Sequence, residues 1–265
     1  MVPELIRLLA YLVAAFYTGI LCILLGLAIL TAQMQWAWSF IPHWWARGVL
    51  FIFRVKVSRC GPDSRTLGPA IFVMNHQSFI DMCLVPHIMP NKTRYIAKKE
   101  LAKVPLWGAV VGRAGLILID RKDRHKAILN IQEGMKSLPE GYSVVVFPEG
   151  TRSVDGEMKR FKMGAVHMAI ASGLPVVPIG MDGAKAINPG QSLIPRPGVV
   201  EVTVGKPIIT TDWKIENARE HLDLMWHAVN ELHLTSRRRY EAKRGGIRKG
   251  AWCSSPCGDI PDTLE

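Results

Sequence analysis

The chain has 265 residues, of which 49% are hydrophobic. That is enough to bury one substantial core with segments left over at the ends, and it excludes a chain disordered throughout. The 33 Lys and Arg against 22 Asp and Glu leave a formal charge of +11, which points to an acidic partner: nucleic acid, an anionic membrane surface or a phosphorylated substrate.

The N-terminus narrows that choice. Residues 8–32, LLAYLVAAFYTGILCILLGLAILTA, carry no charge. As a helix they would reach roughly 38 Å, enough to cross a hydrocarbon core of about 30 Å with some tilt. The run is longer than a secretory h-region and has no small-residue cleavage site, so a retained membrane segment is expected. In the following stretch, QWAWSFIPHWWARGVLFIFRVKV, Trp36, Trp38, Trp44 and Trp45 suit the headgroup level of a bilayer. Pro42 is expected to interrupt this stretch. Two shapes fit: one span followed by an interfacial segment, or two helices dipping into one leaflet. Arg47, Arg54, Lys56 and Arg59 follow the apolar run and only Arg7 precedes it. The positive-inside bias therefore places the rest of the chain on the cytoplasmic side.

Beyond the membrane part, strands and helices alternate. FIFRVKV (51–57) reads as a half-buried strand. AIFVM (70–74), LILID (116–120), SVVVF (143–147), PVVPI (175–179) and VVEVTV (199–204) are short, β-branched apolar runs. Helical spacing marks Lys126–Leu138, Met163–Ser172 and Trp213–Ser236; in the last, Leu222, Met225, Trp226, Val229 and Leu232 form one stripe. An α/β fold is predicted, with a central, mostly parallel or mixed sheet flanked by helices and preceded by a membrane-embedded helical segment. The expected divisions are a membrane region with a lead-in strand at 1–57, an α/β domain at 58–236, and a basic tail at 237–265. Arg237, Arg238, Arg239, Lys243, Arg244, Arg248 and Lys249 make that tail a candidate for disorder, with anionic lipid as a partner or none. Cys22, Cys60, Cys83, Cys253 and Cys257 are odd in number and irregular in spacing, which suits reduced thiols and no zinc site.

Three strand ends carry residues with chemistry. The first is NHQSFID (75–81). On a regular helix His76 and Asp81 would sit about 140° apart, and on a strand they would face opposite sides. They meet only if the chain bends, and a strand ending near Asn75 with a helix starting at Ser78 supplies a bend. Asp81 would then reach back to one imidazole nitrogen and leave the other free. A second reading stands beside it: Ser78 to Asp81 also matches a capping box, with Asp in place of Glu. The second strand end is FPEGTRS (147–153), where Gly150 permits close backbone approach and Arg152 suits bidentate grip of a phosphate. Its bland reading is a surface turn. The third is GLILIDR (115–121), which brings Arg121 to the same rim if the sheet is parallel there. Ligands of open α/β sheets bind beyond the carboxyl ends of strands. No Walker motif and no dinucleotide fingerprint occur.

These blocks resemble those of the glycerolipid acyltransferases. NHQSFID is similar to their N-H-x-S-x-x-D block, and FPEGTRS matches theirs at every position. GLILIDR and LPVVPIG (174–180) resemble two further blocks, and IAKKEL (96–101) their lysine-containing segment. The similarity covers roughly residues 40–235, and it is greatest to bacterial members acting on 1-acyl-sn-glycerol-3-phosphate. It implies that His76 is the general base and Asp81 orients it. It implies that Arg152 binds the acceptor's phosphate, with Glu149, Gly150 and Thr151 in the same site. Arg121 and Lys98, or its neighbour Lys99, are implicated in acceptor binding. The implied reaction moves an acyl chain from acyl-CoA or acyl carrier protein to the sn-2 hydroxyl of lysophosphatidic acid at the cytoplasmic membrane, forming phosphatidic acid. No cofactor, metal or nucleic acid is expected. Another lysophospholipid or glycerol-3-phosphate as acceptor is the alternative. More distant rivals are a metal phosphoesterase and a membrane-tethered lipid-binding protein.

Overall fold

A computed structural model describes residues 4–30, 34–103, 116–120, 123–153, 155–189 and 194–244. Two helices, α1 (Glu4–Leu30) and α2 (Met34–Ile52), form an antiparallel hairpin. Tyr17 Oη donates to Trp44 O at 2.6 Å, and Trp45 Nε1 donates to Thr18 Oγ1 at 3.1 Å. α1 is the one described helix long and apolar enough to cross a membrane, with a mean hydropathy of 2.4 over Glu4–Ala28. Pro42 does not interrupt α2, which runs through it. A proline costs one backbone bond there, and the packing of α2 on α1 and α3 holds the helix together. Trp38 is buried, Trp45 bridges the hairpin and Trp44 is exposed, so these tryptophans do not share one interfacial role.

The expected lead-in strand begins later than the sequence pattern suggested. α2 continues to Ile52, Arg54 turns the chain at φ +54°, and β1 spans Val55–Cys60. A left-handed residue just after a helix is a common stop. Then follow β2 (Ile71–Met74), α3 (Asp81–Ile88), β3 (Thr93–Lys98), a 3₁₀ turn at Lys99–Lys103 and β4 (Ile117–Ile119). Next come α4 (Arg124–Lys136), β5 (Ser143–Val146), α5 (Gly164–Ser172), β6 (Val176–Asp182), the short α6 (Ala184–Ile187), β7 (Gly198–Val204) and α7 (Ala218–Arg244). Asp123 caps α4 through bonds from the amides of His125 and Lys126, and Gly173 ends α5 at φ +64°.

The strands make one sheet in the order β1-β7-β6-β2-β5-β3-β4. All neighbours are parallel except β6 and β7, so the sheet is mixed. β3 escaped the sequence reading because Arg94 and Lys98 break its apolar pattern. Arg94 is buried all the same, with its guanidinium 4.4 Å from the Tyr142 ring centroid.

Each central strand is covered on both faces. Ile71, Val73, Val144 and Val146 pack with α4, α5 and α7, while Phe72, Met74, Val145 and Ile179 pack with α3 and the hairpin. This is the period of two expected of a strand, with both faces buried. Ala14, Val49, Leu50 and Phe53 of the hairpin belong to that second core. Residue 57 is therefore no packing boundary. α7 also departs from expectation, running on to Arg244 with Arg239 and Lys243 both paired to the buried Glu201. The first eight residues assigned to a disordered tail are helix because this carboxylate and Glu157 draw their cations inward. Cys60 is disulfide-bonded, where reduced thiols were expected; Cys22 and Cys83 are free.

Candidate active site

β2 lies between β5 and β6, so whatever follows its last residue is flanked on both sides. Asn75 continues the strand with its side chain. Its Oδ1 accepts from Met181 N at 2.8 Å and its Nδ2 donates to Met181 O at 2.9 Å. The chain then bends, and α3 opens at Asp81 rather than at Ser78. Ser78 Oγ meets Ile80 N only at 3.4 Å, at the long end of hydrogen bonding.

The bend brings His76 and Asp81 together. Nδ1 of the imidazole lies 2.8 Å from Asp81 Oδ2. The same oxygen accepts from Gln77 N at 2.8 Å and Ser78 N at 2.9 Å. One oxygen, Oδ2, thus closes the turn through two backbone amides and holds the imidazole, while the Ser78 capping box is not formed because α3 starts at Asp81. Because Oδ2 is an acceptor, Nδ1 carries the hydrogen, and in the neutral form of the ring Nε2 carries the lone pair. Asp81 is fully buried while the His76 side chain keeps 16% exposure, so the pair faces outward through the ring. Phe147 stacks on that ring with centroids 4.2 Å apart, limiting its rotation.

The turn after β5 sits alongside. Gly150 adopts φ +70°, and a Cβ there would lie 2.8 Å from Lys162 Nζ, so glycine answers both the backbone and the crowding. Thr151 is exposed and Arg152 half-buried at the surface of this turn. Glu149 points the other way. It is buried, with Oε1 accepting from His76 N at 2.7 Å and Oε2 from Lys159 N at 3.0 Å. Burial raises its pKa against the opposing pull of those amides. Ser153 N closes the join by donating to His76 O at 2.9 Å. The base and the arginine turn are thus tied together by backbone bonds.

Lys98 ends β3, where its ammonium is 3.4 Å from Glu100 Oε1. Tyr95 pairs with Val145, so continuing the register sets Lys98 level with Pro148. Lys99 is also exposed. Arg121 lies outside the described residues. Among the described residues no three His, Cys, Asp or Glu gather as metal ligands.

A cavity of about 480 Å³ opens beside Phe147 and Gly150, lined largely by Ile96, Ile119, Ile131 and Met168, with Lys162 at its wall. A larger open groove of about 740 Å³ runs between α1 and α2, but no residue of the His76 or Arg152 blocks lines it. The roles of Asn75, Phe147 and Lys159 were missed in the sequence. The first two lie inside the quoted blocks and carry a signal there; Lys159 carries none, because it contributes a backbone amide.

Comparison with known proteins adds to this geometry. The acyltransferase family model matches residues 56–182. A 1-acyl-sn-glycerol-3-phosphate acyltransferase of Escherichia coli K12 is 38% identical over 172 residues, covering 64% of this chain and 69% of that protein. One of Cocos nucifera is 34% identical over 182 residues, 68% of this chain and 59% of that protein. The chain thus spans about three fifths of the length of the coconut relative. The crystal structure of the 1-acyl-sn-glycerophosphate acyltransferase PlsC of Thermotoga maritima superposes with a TM-score of 0.67, covering 94% of this chain and 98% of that one. At 23% identity, that likeness speaks for the fold alone.

Proposed function

The chain belongs to the acyltransferase family, and from that premise we propose that it acylates the sn-2 hydroxyl of 1-acyl-sn-glycerol-3-phosphate. The donor is a thioester, acyl-CoA or acyl carrier protein, and the product is phosphatidic acid. The observation carrying this reading is the 2.8 Å contact of His76 Nδ1 with Asp81 Oδ2.

An alcohol is a poor nucleophile near neutral pH. Nε2 of His76 takes the hydroxyl proton as the oxygen bonds to the thioester carbon, a contribution of about 10²–10⁴ in rate. Asp81 stabilises the imidazolium so formed. The tetrahedral intermediate collapses by breaking the C–S bond, and the imidazolium returns its proton to the departing sulfur. Backbone amides near the Pro148–Ser153 turn are the oxyanion donors in this scheme. Arg152 holds the acceptor's phosphate at the Gly150–Thr151 turn, and Arg121 and Lys98 or Lys99 take part in acceptor binding. Glu149 serves the site by holding that turn against His76. The apolar cavity beside Phe147 receives an acyl chain.

The acceptor and product live in a bilayer, which gives α1 its reason. The protein sits in the cytoplasmic membrane with the site facing the cytoplasm, by the excess of basic residues after α1. Those cations also gather anionic lysolipid at the surface.

The test is purified protein in detergent with a thioester donor and a panel of acceptors: 1-acylglycerol-3-phosphate, glycerol-3-phosphate, an uncharged-phosphate lysophospholipid ester and 1-acylglycerol. Fast turnover of the first is expected, and Arg152→Ala raises its KM. Equal turnover of 1-acylglycerol refutes the reading.

A further inference from the structure

Helix α7 lies outside the catalytic blocks, yet it reaches both halves of the site. His233 is 1% exposed, so both ring nitrogens need partners. Nδ1–H donates to Met181 O at 2.8 Å, the same carbonyl that Asn75 holds next to the base. Nε2 then accepts from Arg237 Nη2 at 3.1 Å. The same Nη2 donates to Gly156 O at 3.0 Å, and Nη1 pairs with Glu157 at 2.8 Å. Gln77, just after the base, also reaches Gly156 O, at 3.4 Å. Farther down α7, Trp226 Nε1 donates to Lys159 O at 3.1 Å.

These contacts close a ring. His76 N meets Glu149, Glu149 meets Lys159 N, and the chain leads back from Lys159 to Gly156. Gly156 meets Arg237, Arg237 meets His233, and His233 shares Met181 O with Asn75. The base lies on one side of this ring, and the Arg152 turn is strung on the other. Resting on the acyltransferase reading, we propose that Arg237 and His233 are positioning residues that set the spacing between His76 and the acceptor-phosphate turn. Glu157 is 64% exposed, so its ion pair is screened and the bonds to Gly156 and His233 carry the tie. A lysine lacks the planar fork that makes these contacts together.

Small displacements of a bound substrate cost rate steeply. Arg237→Gln and Arg237→Lys are therefore expected to lower kcat/KM for 1-acylglycerol-3-phosphate about tenfold or more, with acceptor KM raised and donor KM unchanged. Arg238→Gln, at an exposed neighbour whose guanidinium donates to Thr235 Oγ1, is the control expected to keep parental kinetics. A role confined to stability would lower the active fraction and leave both KM values in place, and that result overturns the proposal. Hydrogen exchange of the full-length protein supplies a reading independent of turnover. In Arg237→Gln, peptides covering 75–80 and 149–161 exchange faster than in the parent while the strands do not; unchanged exchange overturns the tie. A parent inactive on every acceptor defeats the acyltransferase reading instead, and exchange then judges the tie alone.

Discussion

Replacing Asp81 by Asn separates the two jobs that Oδ2 performs. An amide oxygen in its place still accepts from Gln77 N, Ser78 N and His76 Nδ1. The NH₂ takes the place of Oδ1, a buried atom with no hydrogen-bond partner among the described residues. The turn therefore survives, and the negative charge does not. With about 4 Å between charge centres and an effective dielectric near 20, the carboxylate stabilises an imidazolium by about 4 kcal/mol. Each 1.4 kcal/mol or so is a factor of ten in rate, so kcat falls about a thousandfold. KM for both substrates changes little, because the charge acts on the imidazolium formed during reaction. The assay is steady-state acyl transfer by the purified variant in detergent, with a melting curve beside it. A melting point within several degrees of the parent and a collapse in kcat are expected. Retention of more than a tenth of parental kcat in the folded variant would refute the catalytic pairing and leave Asp81 as a cap.

Two other outcomes follow from the packing. Gly180→Ala places a Cβ 2.0 Å from His233 N and 2.1 Å from Leu232 C, both backbone atoms of α7. The helix must shift, so stability falls by about 3 kcal/mol and the melting temperature by about 6–12 °C; an unchanged melting temperature refutes the close crossing. His87 is pushed down to about 4 by burial first and then by Arg59, Arg47 and Arg65. It stays neutral in the fold where the unfolded chain takes up a proton, so its stabilisation is complete above about pH 6.5 and is lost as pH falls toward 4. At a half-buried site, discounted for solvent screening, this is about 1 kcal/mol, and His87→Gln should flatten the acid limb of the melting-temperature profile.

The sheet was readable because burial on both faces demands unbroken apolar strands, and AIFVM and SVVVF supply them. β3 was not, since Arg94 interrupts its apolar pattern and is buried with its guanidinium over the ring of Tyr142, far away in sequence. The end of α7 was hidden for a similar reason. A run of arginines looks solvated until Glu201, buried on β7, is seen to claim two of its cations. Glu149 offers the same lesson within the site. A motif identifies it as important, while only the backbone amides it meets reveal that it faces the interior.

What local chemistry could specify, the sequence specified: a long apolar helix near the N-terminus, the alternation of polar and apolar residues along the strands, and a histidine and carboxylate that need a bend to meet. These depend on neighbours along the chain. The mixed direction of the sheet, the packing of α1 and α2 into the domain core, and the grip of α7 on both halves of the site were decided by tertiary structure. Each joins residues scores of positions apart, and no periodicity records which distant carbonyl or carboxylate will satisfy a buried donor.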